Sequence, residues 1–570
     1  MGGWRVEDGG WRIEDRADRS SCIAERPVTR HPRLSILHLP SSILHPPSSI
    51  LHPPSSILLL AIPVVALCGF LFFYHLDVRD LWSSHEARAA QDARNMVVHG
   101  FWGVPRLFDD QLDLQKPPLY YWLVSLTALA RGGVVDAWAV RLPAAVSALA
   151  TVLLVLGFAA LHRRRSVGLI AAILLATAVH FTWMARIGRI DMPLTLTVSV
   201  ALIAFHQGLS AERRGWAWLL LGYVALAAAV LLKGPIGLVL PGAVLAVHVF
   251  VEGRLHGWTA LRRGAWSLLW GVPLLLGLVL PWFLWASAQT HGRLVDCFLW
   301  HHNIERAFGG SGSLRAHPWW FYGPRLFVDL LPWSGLVPLA MWDMCRGRWR
   351  TDPLARFGLI WFAAMVLVLS CARFKRADYL LPAYPGAALL VGCMLARRLV
   401  GHVSNVPSLE AHESSPGERH GTLETCPTLT GPHVILLSIL ALASVGGWWY
   451  YVDGELPRGE AARECRTFAA AIRGVAPPPQ LVIFFRSEAH ALALHVGRPI
   501  NTILEWENIA IWVDRPGEHF FVMPPECVRE WPENIKTATL EVLSTNAPAG
   551  GGSHEHPLVL ARSVPLSPRR

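Results

Sequence analysis

Charge is scarce in this sequence. Only 16% of its 570 residues are Asp, Glu, Lys or Arg, against about 25% in soluble proteins, which excludes a string of water-exposed domains. Disorder across the chain is excluded as well, because it requires low hydrophobicity and high charge; here 53% of residues are hydrophobic and the mean hydropathy is +0.36. Lysine is scarcer still. Lys116, Lys233, Lys375 and Lys536 are the only four, so arginine supplies nearly all of the 51 basic residues. The nine cysteines form no CxxC pair, which removes the common zinc and dithiol motifs. Cys465 and Cys527 share the C-terminal region and either pair in an oxidising compartment or stay separate as buried thiols. No GxxxxGKS or GxGxxG stands in a strand–helix context, so chemistry on soluble nucleotides has no motif to rest on.

What the chain does have is long apolar runs divided by short arginine clusters, the pattern of an all-α polytopic membrane protein. The formal charge of +10 sits mostly in short loops and therefore reports topology rather than nucleic-acid binding. Residues 1–56 stand apart. Tandem copies (GGWRVED, GGWRIED, then SSILHPP units) mark a low-complexity segment, read as a disordered extension or as repetitive sequence upstream of the true start.

From residue 57 the apolar stretches fall at 57–74, 137–160, 167–187, 192–209, 216–232, 235–252, 266–287, 326–344, 356–372, 378–396 and 433–451, predicting eleven spans. Residues 118–130 are apolar but too short to cross, and read as an interfacial helix. This gives a core over 57–399, a polar linker over 400–432, a last span over 433–451 and a small soluble α/β domain over 452–570 with a disordered Gly/Pro-rich end. With the N-terminus cytoplasmic, Arg163–Arg165, Arg213–Arg214, Arg254 with Arg262 and Arg263, Arg346 with Arg348 and Arg350, and Arg397–Arg398 all fall on the inner side, as the positive-inside bias requires. The expected setting is the plasma (inner) membrane, with the C-terminal domain outside.

Five polar features are then left on the outer side: the first long loop (75–136, including the interfacial helix), Arg186–Asp191, Lys233–Pro235, the loop 288–325 and Arg373–Tyr379. Three of the four lysines lie among them, where the positive-inside bias does not explain them and anion binding does. In the first loop, SSHEARAAQDARNMV predicts a helix capped by Ser83 or Ser84 that carries His85, Glu86 and Arg88. Lys116 follows, just before the interfacial helix. Cations beside a carboxylate and an imidazole suit the departure of a phosphate: the cations neutralise charge on the leaving group, and Glu86 or His85 removes a proton from an incoming hydroxyl. At a bilayer surface such a phosphate is a lipid phosphate.

The order of these pieces resembles the C-type glycosyltransferase superfamily, in particular its branch of 4-amino-4-deoxy-L-arabinose transferases and protein O-mannosyltransferases. The resemblance covers about residues 60–400. It rests on His85-Glu86-Ala87-Arg88 at the family's Asp-Glu-x-Arg, on Lys116-Pro117-Pro118 leading to Tyr120-Tyr121-Trp122, on Arg189-Ile190-Asp191, and on Lys233-Gly234-Pro235. It continues through FLWHHNIERAF (298–308), His317-Pro318-Trp319-Trp320-Phe321-Tyr322 and Ser370 to Pro382 with Lys375 and Tyr379. The resemblance implies a polyprenyl-phosphate sugar donor, membrane lipids as surroundings, an acceptor that is a lipid, glycan or protein, and no nucleic acid. It implies catalytic roles for Glu86, His85 and Asp191, lipid-phosphate binding by Arg88, Lys116, Lys375 and Tyr379, and substrate contacts from Tyr121, Lys233, His302 and Tyr322. No metal site is read, although the family leaves room for a divalent cation: His301, His302 and Glu305 lack HExxH-like spacing and read as interfacial packing. Two departures stand out, His85 in place of the family aspartate and Gln115 in place of the acid before the KPP lysine. Two alternatives stay open: a transporter or lipid flippase, and an inactive relative that binds lipid phosphate without transfer.

Overall fold

The computed structural model describes residues 55–107, 111–211, 214–305, 316–403, 432–460, 462–463, 465–487, 489–498, 500–547, 554 and 556–566. The repeat-rich segment up to residue 54, Arg213 and linker residues 404–431 lie outside these. Helices α1 (Ser55–Cys68), α2 (Ser84–His99), α3 (Leu119–Ala130), α4 (Ala137–Leu161), α5 (Arg165–Thr177), α6 (Val179–Ala185), α7 (Asp191–Ser210), α8 (Gly215–Lys233), α9 (Ile236–His256) and α10 (Thr259–Gln289) come first.

Among the described residues seven helices are long and apolar enough to cross a membrane: α4, α7, α8, α9, α10, Pro353–Cys371 and Ala377–Arg398. The pair α5 and α6, bent by 70°, adds an eighth if it is one broken span. The protein is thus a multi-pass membrane protein. The single span expected at 326–344 is not formed. That stretch is two helices, Tyr322–Asp329 and Leu336–Cys345, parted by a turn that holds Pro332 and Gly335. Hydropathy registers the composition of such a segment but not the missing proline N–H that interrupts its helical ladder.

Close helix contacts depend on small residues, as in other membrane bundles. A Cβ on Gly168 of α5 would sit 2.7 Å from the Leu156 carbonyl of α4, and one on Gly358 would sit 2.9 Å from the Gly386 carbonyl of the next span.

The first loop folds on top of these spans. Helix α2 starts where Ser83 Oγ accepts a hydrogen bond from Glu86 N at 3.1 Å and stops at Gly100, whose φ of 71° is the left-handed conformation that glycine adopts freely. Its small residues Ala87, Ala89, Ala90 and Ala93 are fully buried. The interfacial helix expected at 118–130 is α3, twelve residues long.

The C-terminal region forms a five-stranded sheet of order β2-β1-β3-β5-β4. Strands β1 (Val482–Phe485), β2 (Asn501–Ile503) and β3 (Phe520–Met523) are parallel, while β5 (Val559–Pro565) runs antiparallel between β3 and β4 (Ala538–Thr545). The expected disordered end is therefore partly wrong: residues 559–565 are an interior strand, ordered by partners on both sides rather than by a pattern of their own. This domain is tied to the first loop. His495 Nε2 lies 2.6 Å from Asp80 Oδ2, Arg466 3.2 Å from Asp80 Oδ1, and the Trp82 indole donates to Glu460 at 2.7 Å.

Candidate active site

Where α2, the segment before α3 and the turn before α7 meet, they enclose a narrow crevice at the span ends. It has about 20 Å³ of solvent-sized space and is lined by His85, Arg88, Asp113, Lys116, Tyr121 and Arg189, among others. His85, Arg88 and Ala89 stand at i, i+3 and i+4 on α2, which places them on one face.

The crevice is dense in charge. Arg88 grips Asp113 through two bonds, 2.7 and 3.2 Å, and Tyr121 Oη donates to the same carboxylate at 3.5 Å. Next to it, Asp191 takes Lys233 at 2.5 Å and Arg189 at 3.2 Å. Arg189 also reaches Asp378 at 2.7 Å, and Arg376 reaches Asp378 at 3.4 Å. The Lys233 ammonium sits over the Tyr379 ring, 4.4 Å from its centroid.

Lys116 differs from all of these. Among the described residues it makes no hydrogen bond or ion pair, so its ammonium faces the crevice without a partner. Burial, with Arg189 and Lys233 adding repulsion, brings its pKa from 10.5 down to about 7. His85 is pushed down to about 2 by burial and then by Lys116, Arg189 and Arg376, so its imidazole is neutral at any ordinary pH.

Glu86 does not face this crevice. One residue along α2 from His85 it turns about 100° away, and its side chain is fully buried. Its carboxylate accepts from Arg141 at 2.7 Å, from Arg79 at 2.9 Å and from Gly188 N at 2.9 Å. Arg141 in turn donates to the carbonyls of Leu76, Arg79 and Asp80. Burial opposes the negative charge, but Arg141 and Arg79 outweigh it and hold this carboxyl well below the usual range. The result is a knot that fastens the loop at 76–80, the start of α2, the start of α4 and the turn before α7 to one another.

Other expected site residues are scattered. Lys375 donates to the backbone carbonyls of His317 and Ala372 instead of entering the crevice. His302 belongs to the π-helical segment Val295–Glu305, where its ring lies 5.5 Å from that of His301, itself paired with Glu305. Tyr322 is buried against Phe321. No group of three or more His, Cys, Asp or Glu side chains that could hold a metal occurs among the described residues.

Sequence reasoning assigned no role to Asp113 in the crevice, to Arg376 and Asp378 beside it, or to Arg79 and Arg141 in the knot, and it read Arg189 only as part of the Arg189-Ile190-Asp191 motif. Arg141 carried a usable signal, since a charge inside an apolar span is a site or a structural tie by default. Asp113 did too: it stands two residues before Gln115 and supplies the acid that Gln115 does not.

A wider cavity of about 650 Å³ opens on the other side of α2, between the loop and the sheet domain, with Trp82, Ser84, Trp183, Arg463, Arg486 and His556 in its walls.

Fold and crevice together define a multi-pass membrane protein with a cation-rich pocket where its spans end. The family model of dolichyl-phosphate-mannose-protein mannosyltransferases matches residues 115–285. A curated relative, the undecaprenyl phosphate-alpha-4-amino-4-deoxy-L-arabinose arabinosyl transferase of Pseudomonas paraeruginosa, is 31% identical over 340 residues, 58% of either chain. The chain thus spans under two thirds of the length of the curated relatives it matches. Among solved structures, ArnT from Cupriavidus metallidurans bound to undecaprenyl phosphate superposes with a TM-score of 0.71 at 20% identity, covering 88% of this chain and 97% of that one. The oligosaccharyltransferase of Archaeoglobus fulgidus gives 0.54 at 12% identity, covering 86% and 70%. The resemblance read from the motifs is therefore shown, and the fold is that of these membrane proteins.

Proposed function

We propose that this protein is a membrane glycosyltransferase that moves a sugar from a polyprenyl-phosphate carrier to a hydroxyl or phosphate of an acceptor on the outer face of the inner membrane. The observation that carries the proposal is the partnerless Lys116 ammonium in a crevice whose other cations are already held by carboxylates. Such a cation, at the end of the spans, is set to receive a lipid phosphate, and the relatives named for undecaprenyl-phosphate-linked sugars support the same donor class.

In this reading the donor's phosphate enters the crevice and Lys116 contacts its oxygens, with Arg88 and Arg189 alongside. As the bond from the sugar's anomeric carbon to the phosphate oxygen breaks, negative charge grows on that oxygen and these fixed cations stabilise it. The acceptor oxygen bonds to the anomeric carbon. A phosphate acceptor has no proton to lose. A hydroxyl acceptor passes its proton to the departing phosphate, because His85, held down to about 2, is too weak a base to take it. Asp113, Asp191 and Asp378 hold the arginines and Lys233 in place, and Glu86 acts as a positioning residue. The acceptor approaches through the 650 Å³ cavity, whose tryptophans and cations suit a sugar or an anionic group.

Eleven crossings follow if α1 with its extension to Phe73, the broken segment 322–345 and Pro432–Tyr450 are counted with the other eight. The odd number places the sheet domain outside when the N-terminus is cytoplasmic. The test is sugar transfer by purified full-length protein supplied with a polyprenyl-phosphate sugar and native lipid acceptors. Lys116→Ala should abolish transfer; full activity in that variant would end the proposal.

A further inference from the structure

A second charged cavity lies at the far ends of the spans. Its walls come from the start of α5, the end of α4, the start of Pro353–Cys371 and the end of Tyr384–Val403, whereas the crevice lies at the opposite ends of these helices. It measures about 360 Å³ and is lined by His162, Arg164, Arg348, Thr351, Asp352 and Arg397, with Pro353 and Leu354 beneath.

Three guanidiniums here share two carboxylates. Arg164 reaches Asp352 at 2.7 Å, Arg397 bridges Asp352 and Asp343, and Arg348 reaches Asp343 at 3.2 Å. Asp352 is occupied further, accepting from Ala355 N at 3.0 Å as the cap of its helix. Each guanidinium has five donors; Arg397 commits two to carboxylates, and Arg164 and Arg348 one each. The cluster keeps an excess positive charge and many free N–H groups, in planar forks that the carboxylates hold still. Around it the exposed Arg163, Arg165, Arg346 and Arg350 extend the field, and the exposed Leu161 and Trp342 supply apolar surface at the same level.

We propose that this cavity binds the phosphodiester headgroup of an anionic phospholipid from the leaflet opposite the crevice. Planar arginine forks match phosphate oxygens two at a time, basic pockets between span ends hold anionic headgroups, and the volume admits one. A zwitterionic headgroup fits worse: its ammonium would meet carboxylates that already have their partners. The site is independent of the transfer reaction and stands on the membrane-embedded fold alone.

The test uses delipidated full-length protein titrated with vesicles of phosphatidylglycerol, vesicles of phosphatidylcholine, and inorganic phosphate, read by native mass spectrometry and by the unfolding midpoint. Because the crevice also receives anions, the titrations are repeated in Lys116→Ala, where phosphatidylglycerol binding should persist. Phosphatidylglycerol should bind and raise the midpoint, and phosphatidylcholine should do neither. Arg164→Gln should weaken phosphatidylglycerol binding by about tenfold, the size of a lost charged hydrogen bond. The half-exposed Arg348→Gln, which caps no helix, should do the same without loss of folding. Equal binding of the two lipids, binding lost only in Lys116→Ala, or inorganic phosphate binding as tightly as the lipid would each overturn the proposal.

Discussion

Donor binding should weaken as pH rises above neutrality, and one residue should account for it. The Lys116 ammonium, ordinarily protonated up to pH 10.5, loses its proton near pH 7 before a phosphate binds. Only the protonated form attracts a phosphate, and a bound phosphate pulls the pKa back up. Above the free value and below the bound one the dissociation constant therefore grows by about tenfold per pH unit, or about fiftyfold from pH 7, where half the lysine is already neutral, to pH 9. A sugar phosphodiester carries one negative charge across that range, so the ligand adds no slope. His85 adds none either, being neutral throughout. The assay is equilibrium binding of a polyprenyl sugar-phosphodiester analogue to full-length protein between pH 6 and 9.5. In Lys116→Arg, whose guanidinium never deprotonates, the profile should be flat. A flat profile in the unaltered protein, or an unchanged slope in Lys116→Arg, would refute the reasoning.

Four further outcomes follow from the same geometry. Glu86→Gln leaves Arg79 and Arg141 buried without their counter-charge, which should cost about 3–5 kcal/mol and lower the unfolding midpoint sharply; an unchanged midpoint would show that the knot holds nothing. Because the Glu86 carboxyl is depressed when folded, its stabilisation is present above the ordinary carboxylate range and lost as pH falls through the folded value, so the stability gap between the protein and Glu86→Gln should narrow in acid. Asp92 is fully buried, and burial together with Asp113 raises its pKa well above the usual value; Asp92→Asn, which removes only the charge that burial disfavours, should therefore shift the midpoint little, and a large loss would refute this. Asp80→Asn removes the charge that His495 and Arg466 face, and limited proteolysis should then cut more readily between the last span and the sheet domain.

The regular spans were legible because each is one long apolar helix: α4 and α7 to α9 begin and end within about four residues of the stretches expected from hydropathy, while α10 starts seven residues before the expected 266. The break at 330–335 was not, since two short apolar helices and one long one have the same composition. Of the expected residues that line the crevice, Lys116 was singled out by its setting, a lysine on the side where topology gives it no reason to be, and Arg88 by the motif it shares with His85 and Glu86. Glu86 was misplaced for a reason that helix geometry contains: neighbours on a helix do not share a face, so His85 and Glu86 could not both look into one crevice. The strand at 559–565 needed knowledge of β3 and β4, which lie far from it in sequence.

The crevice is lined by three cations, Arg88, Lys116 and Arg189, and one carboxylate, Asp113, with Lys233 and Arg376 paired to Asp191 and Asp378 beside it. That excess suits the spent carrier better than the donor, because a freed phosphate monoester bears nearly two negative charges at pH 7 and the diester only one. On the proposed reaction, the empty carrier is then the tighter ligand, so turnover is paced by its departure into the bilayer. Free polyprenyl phosphate would inhibit by occupying the site, and the supply of charged donor would matter less than the clearance of the carrier.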